Sequence, residues 1–260
     1  MKKYDILKEI DNKGYCVLKN VLPKKSLLEI ESRLNSYYKK DHEKYGKDFL
    51  IKINDLENIR NVIEYDDLFL ELLEEDHIID SLMESLLHKN VILHNYNLIR
   101  LFPDIKTNML GHKWHRDVFY FGDGIRTAVN VIIPLQKVTE ENGGTMVLPG
   151  SHLTEELPDQ NYIDKNKLTP TLEVGDVLIV DAACYHSAGN NQTTDTRTII
   201  VLKYTLSFFT QQYDFCKALP VEKYSEKMKG RLGYYVRVPE NIREFRSSPE
   251  DRKYKWSIRY

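Results

Sequence analysis

Apolar residues recur three and four positions apart in the first third of the chain, at Leu27, Ile30, Leu34 and Tyr38 and again at Ile78, Leu82 and Leu86. That spacing lines one face of an α-helix, so the pattern predicts amphipathic helices over both stretches. The second is drawn from Leu68 to Leu87, with Asp66 or Asp67 placed to cap its N-terminus, because an aspartate oxygen accepts from the free N–H groups of a first turn. Ahead of both, Tyr15 to Leu18 follows Gly14 and reads as a short strand. From about Asn90 the period changes. Short runs rich in Val, Ile and Tyr alternate with Gly, Pro, Asn and Asp, and Val91–Leu101, Thr127–Leu135, Gly143–Leu148, Val177–Val180 and Thr198–Leu206 are the clearest predicted strands. Their spacing is that of an all-β sandwich or barrel. No composition shift marks a linker and no segment repeats, so one domain is expected over residues 1–260: a helical flank to about residue 90, a β-core from about 91 to 210, and a C-terminal segment from about 213 to 260.

Composition narrows the class without naming it. Hydrophobic residues make up 42% and charged residues 29%, as in ordinary soluble globular proteins. The net charge of −2, from 37 basic and 39 acidic residues, provides no field that would draw the molecule to nucleic acid or an anionic membrane, and neither is an expected partner. Met1 to Ile10 mix Lys, Asp and Glu with their apolar residues, and no later apolar run approaches a bilayer span, so a cytoplasmic location is expected. Cys16, Cys184 and Cys216 are far apart with no Cys-x-x-Cys pair, which suits free thiols in a reducing compartment. Residues 217 to 260 hold twelve Lys or Arg against six acidic residues. A solvated surface is the expectation for that segment, with docking on the body or a place near an anion as the alternatives; lying beside a cleft, it would concentrate an anionic small-molecule substrate.

The chemistry-bearing residues fall in two clusters. In Trp114-His115-Arg116-Asp117 an imidazole and a carboxylate stand two residues apart, and in extended backbone they project to one face, where a single metal could take both. The ordinary alternative is a surface histidine beside a salt-bridged aspartate. His112-x-x-His115 is a second possible pair, at a spacing that suits a helical turn in a segment that does not look helical. In the second cluster, an apolar strand from Val177 leads to His186 at its mouth and a Gly/Asn loop, after which Arg197 opens the run Thr198–Leu202. His186 and Arg197 would flank an antiparallel hairpin and could point into one cavity. Two His and one carboxylate on a face suit iron(II) and leave three positions open for chemistry. The planar fork of an arginine suits a dicarboxylate, although an ordinary surface arginine paired with Asp195 is the competing reading. Cys184, two residues before His186, reads as a buried filler, and His152, after a Pro-Gly-Ser turn, as a turn or rim residue.

Taken in order, these pieces resemble the phytanoyl-CoA dioxygenase family of Fe(II)- and 2-oxoglutarate-dependent oxygenases. Gly14–Leu22 resembles the family's opening strand, His115-x-Asp117 its first two ligands, Glu141–His152 its Gly-Gly and Pro-Gly-Ser-His stretch, His186 its distal ligand, and Arg197 its 2-oxoglutarate arginine. The resemblance covers roughly residues 10 to 206. It implies a mainly β fold, a double-stranded β-helix or jelly roll of cupin-like form with flanking N-terminal helices. It also implies an Fe(II) centre and a reaction in which 2-oxoglutarate and O2 are consumed, succinate and CO2 released, and a C–H bond of a small molecule hydroxylated. Many members place a Ser or Thr two residues after the distal histidine, where this chain has Ala188, with Ser187 one position earlier. Asn97 and Asn130, each on a predicted barrel-lining strand, are therefore candidates for the keto-acid end of 2-oxoglutarate, with contact to the substrate as the alternative for a polar barrel-lining residue. Halogenating relatives replace the carboxylate ligand by a small residue; Asp117 is present, so hydroxylation and not halogenation is expected. Two other functions fit the same ligands: a cupin-like metal-dependent hydrolase or isomerase, and a non-enzymatic jelly-roll binding protein.

Overall fold

The computed structural model describes residues 3–75, 77–103, 110–120, 122, 125–220, 223–248 and 251. Helix α1 (Lys3–Lys13) passes through Gly14 into β1 (Tyr15–Leu18). Gly14 has φ +77°, and a Cβ there would stand 2.6 Å from Nδ1 of His152, so only glycine allows this close turn. The helix predicted through Leu27 and Tyr38 is two helices, α2 (Lys24–Ser32) and α3 (Leu34–Tyr45). At Arg33 the backbone N–H bonds to the Ile30 carbonyl and tightens the turn, while the guanidinium is held by Glu29 and Asp66. After α4 (Lys47–Lys52) and the two-residue β2 (Asn58–Ile59) come α5 (Leu68–Glu75) and α6 (His77–Leu86), which divide the segment predicted as Leu68–Leu87 at residue 76, outside the described residues. Asp66 accepts from the Leu68 N–H at 3.1 Å, as expected of a cap.

The remaining strands are β3 (Ile92–Leu101), β4 (Ala128–Pro134), β5 (Thr145–Val147), β6 (Val177–Asp181), β7 (His186–Ala188) and β8 (Arg197–Thr205), with α7 (Gln160–Asn166) between β5 and β6. A six-stranded antiparallel sheet has the order β1-β6-β4-β8-β3-β2, and β5 pairs with β7 in a second sheet. Single bridges widen that second sheet on both sides, Val147 with Leu168 and His186 with His115. These are the two sheets of the expected jelly roll. Helical residues nonetheless outnumber strand residues, so the β character belongs to the core and the helices form a thick outer layer.

Alternation along the central strands decides what faces what. Val129, Val131 and Ile133 of β4, Ile200, Leu202 and Tyr204 of β8, and Tyr96 and Leu98 of β3 pack in the large core beneath α1, α2, α5 and α6. Their neighbours Asn130, Ile132, Arg197, Ile199, Val201, Lys203, Asn95, Asn97 and Ile99 face the cavity between the sheets. Both faces are covered, so these strands read as nearly continuous apolar runs interrupted by a few polar residues. A β-bulge between Leu93 and Asn95 shifts the phase of β3, so that Leu93 joins the core while Asn95 faces the cavity. Among the described residues no helix is long and apolar enough to cross a membrane.

The basic C-terminal segment departs from expectation. It folds into α8 (Phe215–Ala218), α9 (Glu226–Arg231) and α10 (Ile242–Phe245), while residues 252–260 lie outside the described residues. Arg231 is buried, not solvated: it pairs with Asp80 and Glu84 of α6 and donates to the carbonyls of Lys89 and Val91. Arg237 pairs with Asp214. Arg231 thus ties the segment to the body, Arg237 pairs within it, and neither lines the cavity. Burial alone would raise the Asp80 carboxyl, but Arg231 and Lys227 outweigh it and hold the group below the usual carboxylate range. Arg231→Ala should therefore cost up to about 3–5 kcal/mol in urea unfolding, since it leaves the buried Asp80 carboxylate with only the half-exposed Lys227 to pair with. Because the folded Asp80 pKa is depressed, this stabilisation is complete above the unfolded aspartate value, about 3.9, and is lost as pH falls through the lower folded value. An Arg231→Ala midpoint within error of wild type at pH 7 would show that the staple contributes nothing.

Candidate active site

Backbone pairing brings the two His-bearing segments together. The His115 N–H donates to the His186 carbonyl at 3.0 Å and the His186 N–H returns the bond at 2.9 Å, while the Asp117 N–H is held by the Ala182 carbonyl at 2.8 Å. The two imidazole rings lie 4.4 Å apart, centroid to centroid. Nδ1 of His115 is 2.7 Å from the Lys113 carbonyl and Nδ1 of His186 is 3.0 Å from the Cys184 carbonyl. A carbonyl only accepts, so each Nδ1 carries the proton and each Nε2 keeps its lone pair. These Nε2 atoms stand 3.9 Å from Oδ1 and 3.8 Å from Oδ2 of Asp117, and one ligand atom from each residue lies within 4.8 Å of the others. Burial lowers the His186 pKa, against the pull of Asp117, and so favours the neutral ligand form. Burial would raise Asp117, but His186, Lys203, Asn130 and His115 together keep it ionised below its usual range. Its Oδ2 accepts from Asn130 Nδ2 at 2.6 Å and lies 3.2 Å from Lys203 Nζ.

The triad opens on a cavity of about 480 Å³ between the two sheets. Arg197, at the start of β8, enters the same cavity and is 2% exposed. Its guanidinium donates to the Gly143 carbonyl, its Nε has no partner, and among the described residues no carboxylate pairs with it, Asp195 included. Burial pushes its pKa down to about 10, with Tyr38 opposing. Gly143 reaches this position because it has φ +80° and no side chain: a Cβ would fall 2.5 Å from Leu101 and 2.9 Å from the Gly189 carbonyl. The other arginines on the wall are paired, Arg60 with Asp55 and Arg100 with Glu57, the latter also stacked 3.7 Å over Tyr38.

The remaining sequence candidates separate. Asn97 lines the cavity, and its Oδ1 accepts from the Tyr213 hydroxyl at 2.7 Å; Asn130 lines it too, but its amide nitrogen is committed to Asp117. His112 lies on the cavity wall outside the triad, near Arg197. His152 is buried elsewhere, with Nε2 on the Asp11 carbonyl at 3.0 Å. Cys184 is a buried thiol pushed up to about 11 by burial, and its carbonyl, not its sulfur, serves the site. Ala188 faces the cavity while Ser187 turns to the Gly111 carbonyl. Two residues escaped the sequence reading. Thr145 lines the cavity directly across β5 and β7 from Ala188, and Lys203 touches Asp117. Lys203 was detectable as a lone charge in an apolar strand at even spacing from Arg197.

Residues 10–199 match the family model described as phytanoyl-CoA dioxygenase (PhyH). The uncharacterised protein Rv1501 of Mycobacterium tuberculosis is 29% identical over 248 residues, covering 93% of this chain and 90% of that protein. The dioxygenase andF of Emericella variicolor is 24% identical over 243 residues, covering 88% of this chain and 84% of the relative. Among solved structures, the non-heme monooxygenase ThoJ in its nickel complex superposes with a TM-score of 0.63 at 19% identity, over 81% of this chain and 80% of that one.

A buried cation without an anion costs stability, whatever it is for. Arg197→Met, which keeps the length and drops the charge, should leave the metal-free protein as stable as wild type or more stable, by up to about 1–4 kcal/mol. Thermal or urea unfolding of the two proteins measures it; a large loss of stability in the variant would make Arg197 a structural residue.

Proposed function

The chain belongs to the phytanoyl-CoA dioxygenase family of oxygenases, and from that premise we propose that it is an Fe(II)- and 2-oxoglutarate-dependent dioxygenase that hydroxylates a small-molecule substrate with release of succinate and CO2. The observation that carries the reading is Arg197: a fixed positive charge, buried and without a carboxylate among the described residues, in the cavity onto which a two-histidine, one-carboxylate cluster opens.

His115, Asp117 and His186 would hold the iron, and their donor set fits it: two neutral imidazole nitrogens already aimed by backbone carbonyls and one ionised carboxylate. When bound, iron(II) with 2-oxoglutarate and O2 supplies the oxidising power for C–H hydroxylation. Arg197 binds the distal carboxylate of 2-oxoglutarate through its planar fork. Thr145 offers a hydroxyl on the wall where Ala188 has none, and Asn97 lends a polar amide to the same cavity. Asn130 orients Asp117 through its short hydrogen bond. Ile99, Ile132, Ile199 and Val201 line the rest, so that water is thinned where the co-substrate binds. A hydrolase or isomerase using the same ligands would have no need of a buried, unpaired arginine, which favours the oxygenase.

The test is an anaerobic titration of the iron(II) protein with 2-oxoglutarate, following the visible charge-transfer band that chelation of iron by a 2-oxo acid produces. A saturable band is expected. His115→Ala, Asp117→Ala and His186→Ala should each abolish turnover, and full activity in any one removes that residue from the site. Arg197→Ala should weaken 2-oxoglutarate roughly 30-fold to several-thousand-fold while iron binding stays nearly unchanged. Chlorinated product in chloride buffer would contradict the assignment of Asp117, and absence of the band would contradict the oxygenase.

A further inference from the structure

Lys203 stands on the cavity face of β8 six residues after Arg197, which places the two Cα atoms roughly 20 Å apart along the strand. Arg60 and Arg100 have carboxylates of their own. The ammonium of Lys203 is also ion-paired, with Asp117 at 3.2 Å, but that carboxylate is the one a metal would share, and the side chain is only 15% exposed. Resting on the reading just given, the formal charges of a divalent metal, Asp117, a 2-oxo diacid and Arg197 cancel, so among the described residues the loaded site is left with the positive charge of Lys203. A net charge held largely out of water is costly unless an opposite charge arrives to pair with it.

The surroundings of Lys203 are also short of partners. In the sheet register it lies directly opposite Asn95 on one side and Asn130 on the other. Asn95 and Asn130 line the cavity beside Lys203, and Oδ1 of each is buried and meets no hydrogen-bond partner. These residues are 8% and 3% exposed, so bulk solvent does not serve them either. A cation with two unpaired amide oxygens beside it suits a ligand with an acidic group and hydroxyls.

We propose that Lys203 anchors an acidic group of the substrate, a carboxylate or a phosphate, beside the metal triad, with Asn95 and Asn130 serving hydroxyls next to it. The substrate class is thus a small hydroxylated acid whose oxidised carbon lies close to its charge. The anion is received inside the barrel by Lys203, since Arg231 and Arg237 of the basic segment are engaged elsewhere.

The full chain, loaded anaerobically with iron(II) and saturating 2-oxoglutarate, is titrated with acetate, inorganic phosphate or acetamide while the charge-transfer band is followed. Acetate or phosphate should perturb the band saturably, and whichever binds identifies the acidic group; acetamide, the uncharged isostere of acetate, should not. Lys203→Met should weaken that anion roughly tenfold to a hundredfold while keeping the band, because a charge-assisted hydrogen bond is lost, and Lys203→Arg should retain most of it. Equal effects of acetate and acetamide, an unchanged anion affinity in Lys203→Met, or an intact band that neither anion alters would each overturn the proposal alone. If Lys203→Met does not load iron, the contrast between acetate and acetamide on the wild type decides. A wild type with no band at all would overturn the oxygenase reading, and this inference with it.

Discussion

A guanidinium almost wholly removed from water, with no carboxylate among the described residues to pair with it, is the feature around which the rest of the structure makes sense. Arg197 is held by a sheet strong enough to tolerate it: β8 lies between β4 and β3, and its alternate residues Ile200, Leu202 and Tyr204 are fixed in the main core. The period of two that buries those side chains is the same period that turns Arg197 and Lys203 into the cavity. Stability on one face of the strand and chemistry on the other are consequences of a single alternation.

The triad depends on backbone in a similar way. His115 and His186 are joined by a reciprocal pair of main-chain hydrogen bonds, and their Nδ1 protons are committed to carbonyls two residues away in each case. The orientation and tautomer of both rings therefore follow from local chain geometry, which pre-sets the Nε2 lone pairs before any ion arrives. Asp117 is the adjustable member: its carboxylate is shared between the two imidazoles, Asn130 and Lys203. The charge of the site, and hence what it will accept, is governed at that one carboxylate.

How much of this was legible beforehand varies with the distance over which the information acts. Most strands were readable because their Val-, Ile- and Tyr-rich runs and the turn residues that bound them are local, whereas the short β2 and β7 were not. His115-x-Asp117 and His186 with Arg197 were visible as two separate clusters, but that both face one cavity depends on the pairing of segments some 70 residues apart. The break at Arg33 was not, because the tightened turn is helped by Asp66 from another segment. The burial of Arg231 was hidden for the same reason, since its partners Asp80 and Glu84 lie some 150 residues earlier and make a nominally surface charge part of the interior. Parity with Arg197 could have pointed to Lys203, but its contact with Asp117 needs the barrel to close. Thr145 needed the β5–β7 register to place it opposite Ala188. That Arg197 has no carboxylate partner among the described residues could be learned only from the fold, because Asp195 stood two residues away as an ordinary candidate.

On the proposed function, the charge of Arg197 and the side chains of His115, Asp117 and His186 form one binding site for a metal-chelating diacid. A crystal structure of the protein grown anaerobically with manganese(II) and 2-oxoglutarate tests it most directly. The account predicts one ion bound by Nε2 of His115, a carboxylate oxygen of Asp117 and Nε2 of His186, with 2-oxoglutarate spanning from that ion to the guanidinium of Arg197. An ion held elsewhere, or a bound diacid that leaves Arg197 without a carboxylate, would contradict it.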